Sequence, residues 1–147
     1  YLKKVKIPLI ISTGGTDFNE ISKILKTLKD SKIALMQCTS IYPCPSDKIN
    51  LKVIKELQTR FKLPVGFSSH HTSPLITAMS VAYGASITEV HITLDRAMWG
   101  TDQAMSLEAR GMQIMIHSIK DFEVALGDGN KKIYDFELKT LSRTKGR

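Results

Sequence analysis

Short apolar runs alternate with amphipathic segments along most of the chain, and this alternation restricts the possible folds more than any other feature. Each apolar run has the length of a buried strand, and each segment after it carries apolar residues at helical spacing. The pattern predicts four successive β-α units, with strands at 7–12, 33–39, 65–69 and 86–94. Because parallel strands need long crossovers, four such units predict a parallel sheet with right-handed connections.

Local signals predict where the helices begin. Asp17 and Glu20 have the spacing of a capping box and are expected to open the first helix. Ser73 is placed to cap the third helix, with Pro74 at its first position. The last and longest helix is predicted from about residue 106 to 126.

The composition is that of a soluble, single-domain globular protein, with 42% hydrophobic and 24% charged residues among 147. No apolar run approaches the roughly 18 to 20 residues of a transmembrane helix, so no contact with a membrane is expected. Without a signal-peptide pattern, a cytoplasmic location is expected.

The net charge of +7 is spread over helix faces with no aromatic series between the lysines, which argues against nucleic acid as a partner. A positive net charge is also compatible with a binding site for anionic metabolites.

Two cysteines, Cys38 and Cys44, lie six residues apart around a proline-containing loop. This spacing fits neither a disulfide framework nor a C-x-x-C zinc site, so reduced thiols are expected. Zinc is disfavoured further because thiolates do not suit a hard, oxygen-rich site.

Polar side chains gather at the carboxyl end of every predicted strand. A barrel mouth uses all of its strand ends in this way, whereas a doubly wound sheet concentrates its site at one switch point. We therefore favour part of a (β/α)8 barrel over a doubly wound sheet. The polar residues are Ser12, Thr39, Ser40, Tyr42, Ser68, Ser69, His70, His91, Thr93 and Asp95.

The two-residue period of a strand adds detail to this picture. Ser68 and His70 share one face of the third strand, and Glu89 and His91 share one face of the fourth. Neighbouring strands lie roughly 4.8 Å apart, so both imidazoles are predicted to point into the barrel, close enough to hold one metal ion. His71, the next residue along the strand, is then expected to point away.

Five segments resemble, in order and at similar spacing, the C-terminal half of the sialic acid (N-acetylneuraminate) synthase family: IISTGGT (10–16), CTSIYPCP (38–45), PVGFSSHH (64–71), EVHITLDR (89–96) and GTDQAMSLE (100–108). The resemblance implies an α/β fold, a (β/α)8 TIM barrel of which this chain supplies the last four β-α units. It implies a synthase domain at 1–129 and a basic C-terminal extension or linker at 130–147. Homodimers are also implied.

The resemblance further implies a transferase that condenses phosphoenolpyruvate with N-acetylmannosamine or a related N-acetylated aldose. The products are a sialic acid-like nonulosonic acid and phosphate. His70 and His91 match the ligands of a divalent metal, Mn²⁺ or Mg²⁺, and His91 and Asp102 match catalytic positions. The substrate-binding matches are Ser12 and Ser68 for the phosphate, Ser40 and Tyr42 for the sugar, and Asp102 for the aldose hydroxyls.

The chain also departs from common family patterns, and other functions stay open. Ser40 replaces a common asparagine, S-D-H-T reads S-S-H-H at 68–71, and G-P-D reads G-T-D at 100–102. One alternative is a metal-dependent aldolase or lyase on the same barrel, using pyruvate without phosphate release. The other is an inactive half-barrel remnant or binding module.

Overall fold

The computed structural model describes Leu2 and residues 7–144, with side chains as far as Leu141. Short 3₁₀ turns also occur at Ser46–Lys48, Ser80–Tyr83 and Gln103–Met105. The strands and helices, in chain order, are β1 (Leu9–Ser12), α1 (Phe18–Thr27), β2 (Ile33–Cys38), α2 (Lys52–Phe61), β3 (Val65–Ser69), α3 (Pro74–Met79), β4 (Thr88–Val90), α4 (Ala109–Leu126) and α5 (Asp135–Thr144).

The four strands form one parallel sheet in the order β1-β2-β3-β4. A doubly wound sheet reverses its strand order at a switch point, and this sheet shows no reversal. The predicted α/β fold with a parallel sheet is confirmed, and the sequential order is that of consecutive units in a half-barrel.

The core lies between one face of this sheet and the helices. Leu35 and Val65 on the sheet are almost fully buried, as are Ile54 and Leu57 on α2. Complete burial of such a side chain contributes about 1.5 to 3 kcal/mol. The opposite face is exposed at β1, where Ile10 is 60% exposed.

The predicted capping box opens α1. The Asp17 carboxylate accepts the backbone N–H groups of Asn19 and Glu20, each at 2.8 Å, and Glu20 accepts the Asp17 N–H at 2.9 Å. Ser73 occupies the N-cap position of α3, as predicted. Pro74 does begin α3, but the Ser73 side chain makes no capping hydrogen bond.

The fourth strand is shorter than the predicted 86–94. Beyond Val90 the backbone no longer pairs with β3 and pairs with Leu107 instead. The Leu107 N–H donates to the His91 carbonyl at 2.8 Å, and the Thr93 N–H donates to the Leu107 carbonyl at 2.9 Å. A single bridge pairs Ile92 with Leu107. This pairing keeps Leu107 extended, so α4 begins at Ala109 rather than near residue 106.

Residues 130–147 were expected to form a basic extension or linker, and they contain the helix α5, which the sequence patterns do not predict. Two of its apolar side chains, Phe136 and Leu138, are more than half exposed. Within the described part of the chain, no helix combines the length and apolarity needed to cross a membrane.

Candidate active site

Strand register determines which side chains share the face of the sheet opposite the helices, which we call the inner face. Cys38 pairs with Ser68, and Ser68 pairs with Glu89, so these three residues form one row across β2, β3 and β4. His70 and His91 follow one position beyond the ends of β3 and β4. Two polar rows therefore lie one above the other at the carboxyl edge of the sheet.

The two histidines meet as the alternation predicts. Their ring centroids lie 5.6 Å apart and the ring planes are almost perpendicular, at 85°. His70 is buried, with 6% exposure, whereas the His91 side chain is one third exposed. One imidazole is thus fixed inside the structure, and its neighbour borders solvent.

In each histidine, Nδ1 faces an oxygen that can accept a hydrogen bond but has no hydrogen to donate. His70 Nδ1 lies 2.8 Å from the carbonyl oxygen of Thr39, and His91 Nδ1 lies 3.4 Å from Oδ2 of Asp102. In a neutral ring such contacts hold the proton on Nδ1, which leaves a lone pair on Nε2. Both rings therefore have the arrangement of metal-binding histidines, in which an acceptor outside the metal shell faces the nitrogen that does not bind the metal.

Tyr42 covers the histidine pair. Its ring stacks on His70 with centroids 3.9 Å apart and planes at 26°, and it meets His91 edge-on at 5.7 Å. Partial desolvation raises the pKa of the Tyr42 phenol, and the negative charges of Cys38, Asp102 and Glu89 raise it further. The phenol therefore keeps its proton to a higher pH than an ordinary tyrosine.

Ser68 already has a partner in this structure. Its hydroxyl donates to Oε1 of Glu89 at 2.7 Å, and Ser68 is buried. Glu89 is not among the predicted site residues, although the two-residue alternation places it on the same face as His91. An acidic side chain at a strand position that faces inward could have indicated a role in the site.

Ser12 and Ser40 occupy the β1 side of the same face. Ser12 pairs with Met36, one row below Cys38 and Ser68. It is two strands away from Ser68 and two residues lower along the sheet, a separation of roughly 12 Å. Ser40 lies so close to Gly14 that a β-carbon there would collide with its hydroxyl oxygen. The structure therefore brings Tyr42, His70, His91 and Asp102 together and leaves Ser12 at the margin.

A cleft of about 570 Å³ lies between the turn after β1 and the loop after β2. Its lining includes Cys38 and Ser40, and also Lys48 from the far side of the loop. Ile21 and Leu57 also line it, so the cleft extends toward the helix side of the sheet, and neither His70 nor His91 is part of its wall.

Both cysteines are free thiols, as predicted. Cys44 is buried, and burial raises the pKa of its thiol, with Asp47 and Cys38 adding to the rise. Among the residues that the structure describes, no three His, Cys, Asp or Glu side chains converge on one point suited to a metal ion. The histidine pair thus offers two nitrogen donors.

Comparison with known proteins relates this chain to a group of synthases. Residues 1–131 match the profile of the NeuB family. The N,N'-diacetyllegionaminic acid synthase of Legionella pneumophila is 38% identical over 140 residues, which cover 90% of this chain and 39% of that protein. The N-acetylneuraminate-9-phosphate synthase of Homo sapiens is 34% identical over 134 residues, covering 89% of this chain and 37% of that protein. The chain thus spans about two fifths of the length of these relatives.

A solved structure shares the fold. The N-acetylneuraminic acid (sialic acid) synthetase of Leptospira borgpetersenii serovar Hardjo-bovis, in complex with citrate, superposes with a TM-score of 0.80 at 28% identity. The match covers 92% of this chain and 48% of that one.

Proposed function

The chain belongs to the NeuB family, as its five motif segments predict, and from that premise we propose that it supplies part of a synthase condensing phosphoenolpyruvate with an N-acetylated aldose such as N-acetylmannosamine. The products would be a sialic acid-like nonulosonic acid and phosphate. Relatives named as synthases of such acids support this role. The observation that carries the proposal is the pair of His70 and His91, each with Nδ1 directed at an acceptor.

The donor chemistry of this pair fits a divalent cation, Mn²⁺ or Mg²⁺. Nε2 of His70 and Nε2 of His91 would bind it, and oxygens of water and substrate would complete its shell, as these hard ions prefer. Bound there, the ion would act as a Lewis acid on the aldehyde of the open-chain aldose.

The chain's own side chains would then bind and orient the two substrates. Asp102 would hold the His91 ring and reach the aldose hydroxyls, while Tyr42 and Ser40 would line the sugar. Ser12 and Ser68 would bind the phosphate, for which the Ser68 hydroxyl must turn from Glu89. Holding both substrates in one geometry would favour attack by C3 of phosphoenolpyruvate on the aldehyde carbon. Water would add at C2, and phosphate would leave by C–O cleavage.

We also propose that the four units form the last half of an eight-unit barrel. Three observations support this: the sequential strand order, the match to about two fifths of each relative, and the exposure of Ile10 on the inner face. Four further β-α units would cover that face and pair with the free edges of β1 and β4.

The test is phosphate release from phosphoenolpyruvate with N-acetylmannosamine and Mn²⁺, using the longest native chain that contains these residues. With ¹⁸O in the bridging position, the proposed C–O cleavage carries the label into phosphate, whereas a phosphatase leaves it on pyruvate. Condensation of pyruvate without phosphate release would contradict the proposal and favour the alternative, a metal-dependent aldolase or lyase. Absence of any turnover with N-acetylated sugars would favour the inactive remnant.

His91→Ala is the paired variant. We expect it to lose both Mn²⁺ binding in a titration and phosphate release, while its circular dichroism spectrum stays unchanged because the ring is one third exposed and lies at the strand end rather than in the core. His117→Ala removes an exposed histidine from α4 and should change neither quantity. Retained Mn²⁺ affinity in His91→Ala would remove His91 from the metal site.

A further inference from the structure

One loop holds His70 from several sides. We call residues 39–46 the Tyr42 loop. The Thr39 carbonyl oxygen lies 2.8 Å from His70 Nδ1, and the Cys44 N–H donates to the His70 carbonyl at 2.9 Å. At the end of the loop, the Ser46 hydroxyl lies 3.1 Å from Nε2 of His71. The loop is therefore bonded to the end of β3 at three points, two of them on His70 itself.

Tyr42 lies between these points, where its ring covers one face of the His70 imidazole. The torsion that turns an imidazole about its Cβ–Cγ bond has broad energy wells, so a single hydrogen bond holds the ring plane loosely. The bond to Thr39 selects the nitrogen that carries the proton. A stacked ring at 3.9 Å and 26° restricts the plane itself. The two contacts together fix the direction of Nε2.

We propose that Tyr42 is a positioning residue, whose ring rather than its hydroxyl fixes the His70 imidazole in the plane that presents Nε2 to the inner face. The same ring meets His91 edge-on, so it also fills the space into which either imidazole could turn. Where His70 binds the metal, a role that rests on the proposed function, Tyr42 sets the metal affinity without touching the ion.

The direct test needs no metal. Long-range ¹H–¹⁵N spectra report the tautomer of each imidazole, and the chain has four histidines, which His→Ala variants assign. In the wild type we expect His70 protonated at Nδ1, with ring protons shifted upfield by Tyr42. Tyr42→Phe should retain both features. Tyr42→Leu should lose the upfield shift and give averaged nitrogen shifts. Ile41→Ala, the neighbouring half-exposed loop residue, should leave the His70 signals unchanged.

The second test is Mn²⁺ titration of the same variants, since outer contacts to a ligand histidine typically change affinity by about 10- to 100-fold. We expect a loss of that order in Tyr42→Leu and less than about twofold in Tyr42→Phe, with melting temperatures showing that both fold. Unchanged His70 signals in Tyr42→Leu, or equal effects of Phe and Leu, would overturn the proposal. If the wild type binds no Mn²⁺, the metal site fails, and the imidazole spectra still decide the role of Tyr42.

Discussion

Asp102 lies eleven residues after His91 in the connection between β4 and α4, and its Oδ2 is 3.4 Å from Nδ1 of His91. The Asp102 backbone is anchored locally, because its carbonyl accepts the Ser106 hydroxyl at 2.7 Å and the Ser106 N–H at 3.1 Å. Ser106 is buried, so this anchor is stable. The carboxylate is thereby held against the histidine that follows β4.

Asp102→Asn tests what the carboxylate does. The amide keeps the shape but loses the charge that favours a proton on His91 Nδ1, so we expect Mn²⁺ affinity to fall by about tenfold or more. We also expect KM to rise more for the aldose than for phosphoenolpyruvate. Asp95→Asn, on the same exposed loop, serves as the control. Equal losses for both substrates would count against a sugar role for Asp102.

Gly66→Ala tests how tightly the sheet packs. A β-carbon on Gly66 would lie 2.5 Å from Met36 Sδ and 2.6 Å from the Ile87 carbonyl oxygen. That oxygen accepts the Phe67 N–H and cannot move without loosening β3 from β4. We expect unfolding free energy to fall by about 1 to 3 kcal/mol, read as a lower urea midpoint.

The matched control is Gly111→Ala in α4. There the new β-carbon meets the Leu107 side chain at 3.4 Å, an ordinary contact. Replacing a helical glycine by alanine should raise stability by about 0.5 to 1 kcal/mol. A rise in stability in Gly66→Ala like that in Gly111→Ala would show that the collision at Gly66 is relieved at little cost.

The two thiols should differ in reactivity. Burial raises the pKa of Cys44, so at about pH 8 a smaller share is thiolate than in an ordinary cysteine, and alkylation should be slow. Cys38 is only partly buried and should react several-fold faster with iodoacetamide. Raising the pH should speed the labelling of Cys44. Both residues fall in one tryptic peptide, 33–48, so fragmentation of this peptide between them in a mass spectrometer shows which cysteine carries the label. In the control, the chain is unfolded in guanidinium, where both cysteines should be labelled equally. Faster labelling of Cys44 would contradict the expectation.

Sequence patterns predict the features that depend on nearby residues. The capping box of Asp17 and Glu20 involves side chains three positions apart, and β3 occupies the predicted residues. The meeting of His70 and His91 also follows from local information, since two-residue alternation on adjacent parallel strands determines which side chains face each other.

Features that depend on distant backbone atoms are not predictable in this way. The Thr39 carbonyl that orients His70 has no side-chain signal, and the short β4 results from pairing with Leu107, distant in sequence. Ser73 has the right residue type for a cap, but its N–H donates to Nδ1 of His71 and its hydroxyl makes no capping bond. In each case the partner is chosen by tertiary structure.

The sequential strand order has a consequence for how the chain assembles during synthesis. Each strand pairs with the strand that precedes it in sequence, across a connection of a few tens of residues. A chain leaving the ribosome amino end first can therefore add each new β-α unit to one that is already in place, and the entropy lost in closing each loop stays small. Translation supplies the units in the order in which the sheet grows.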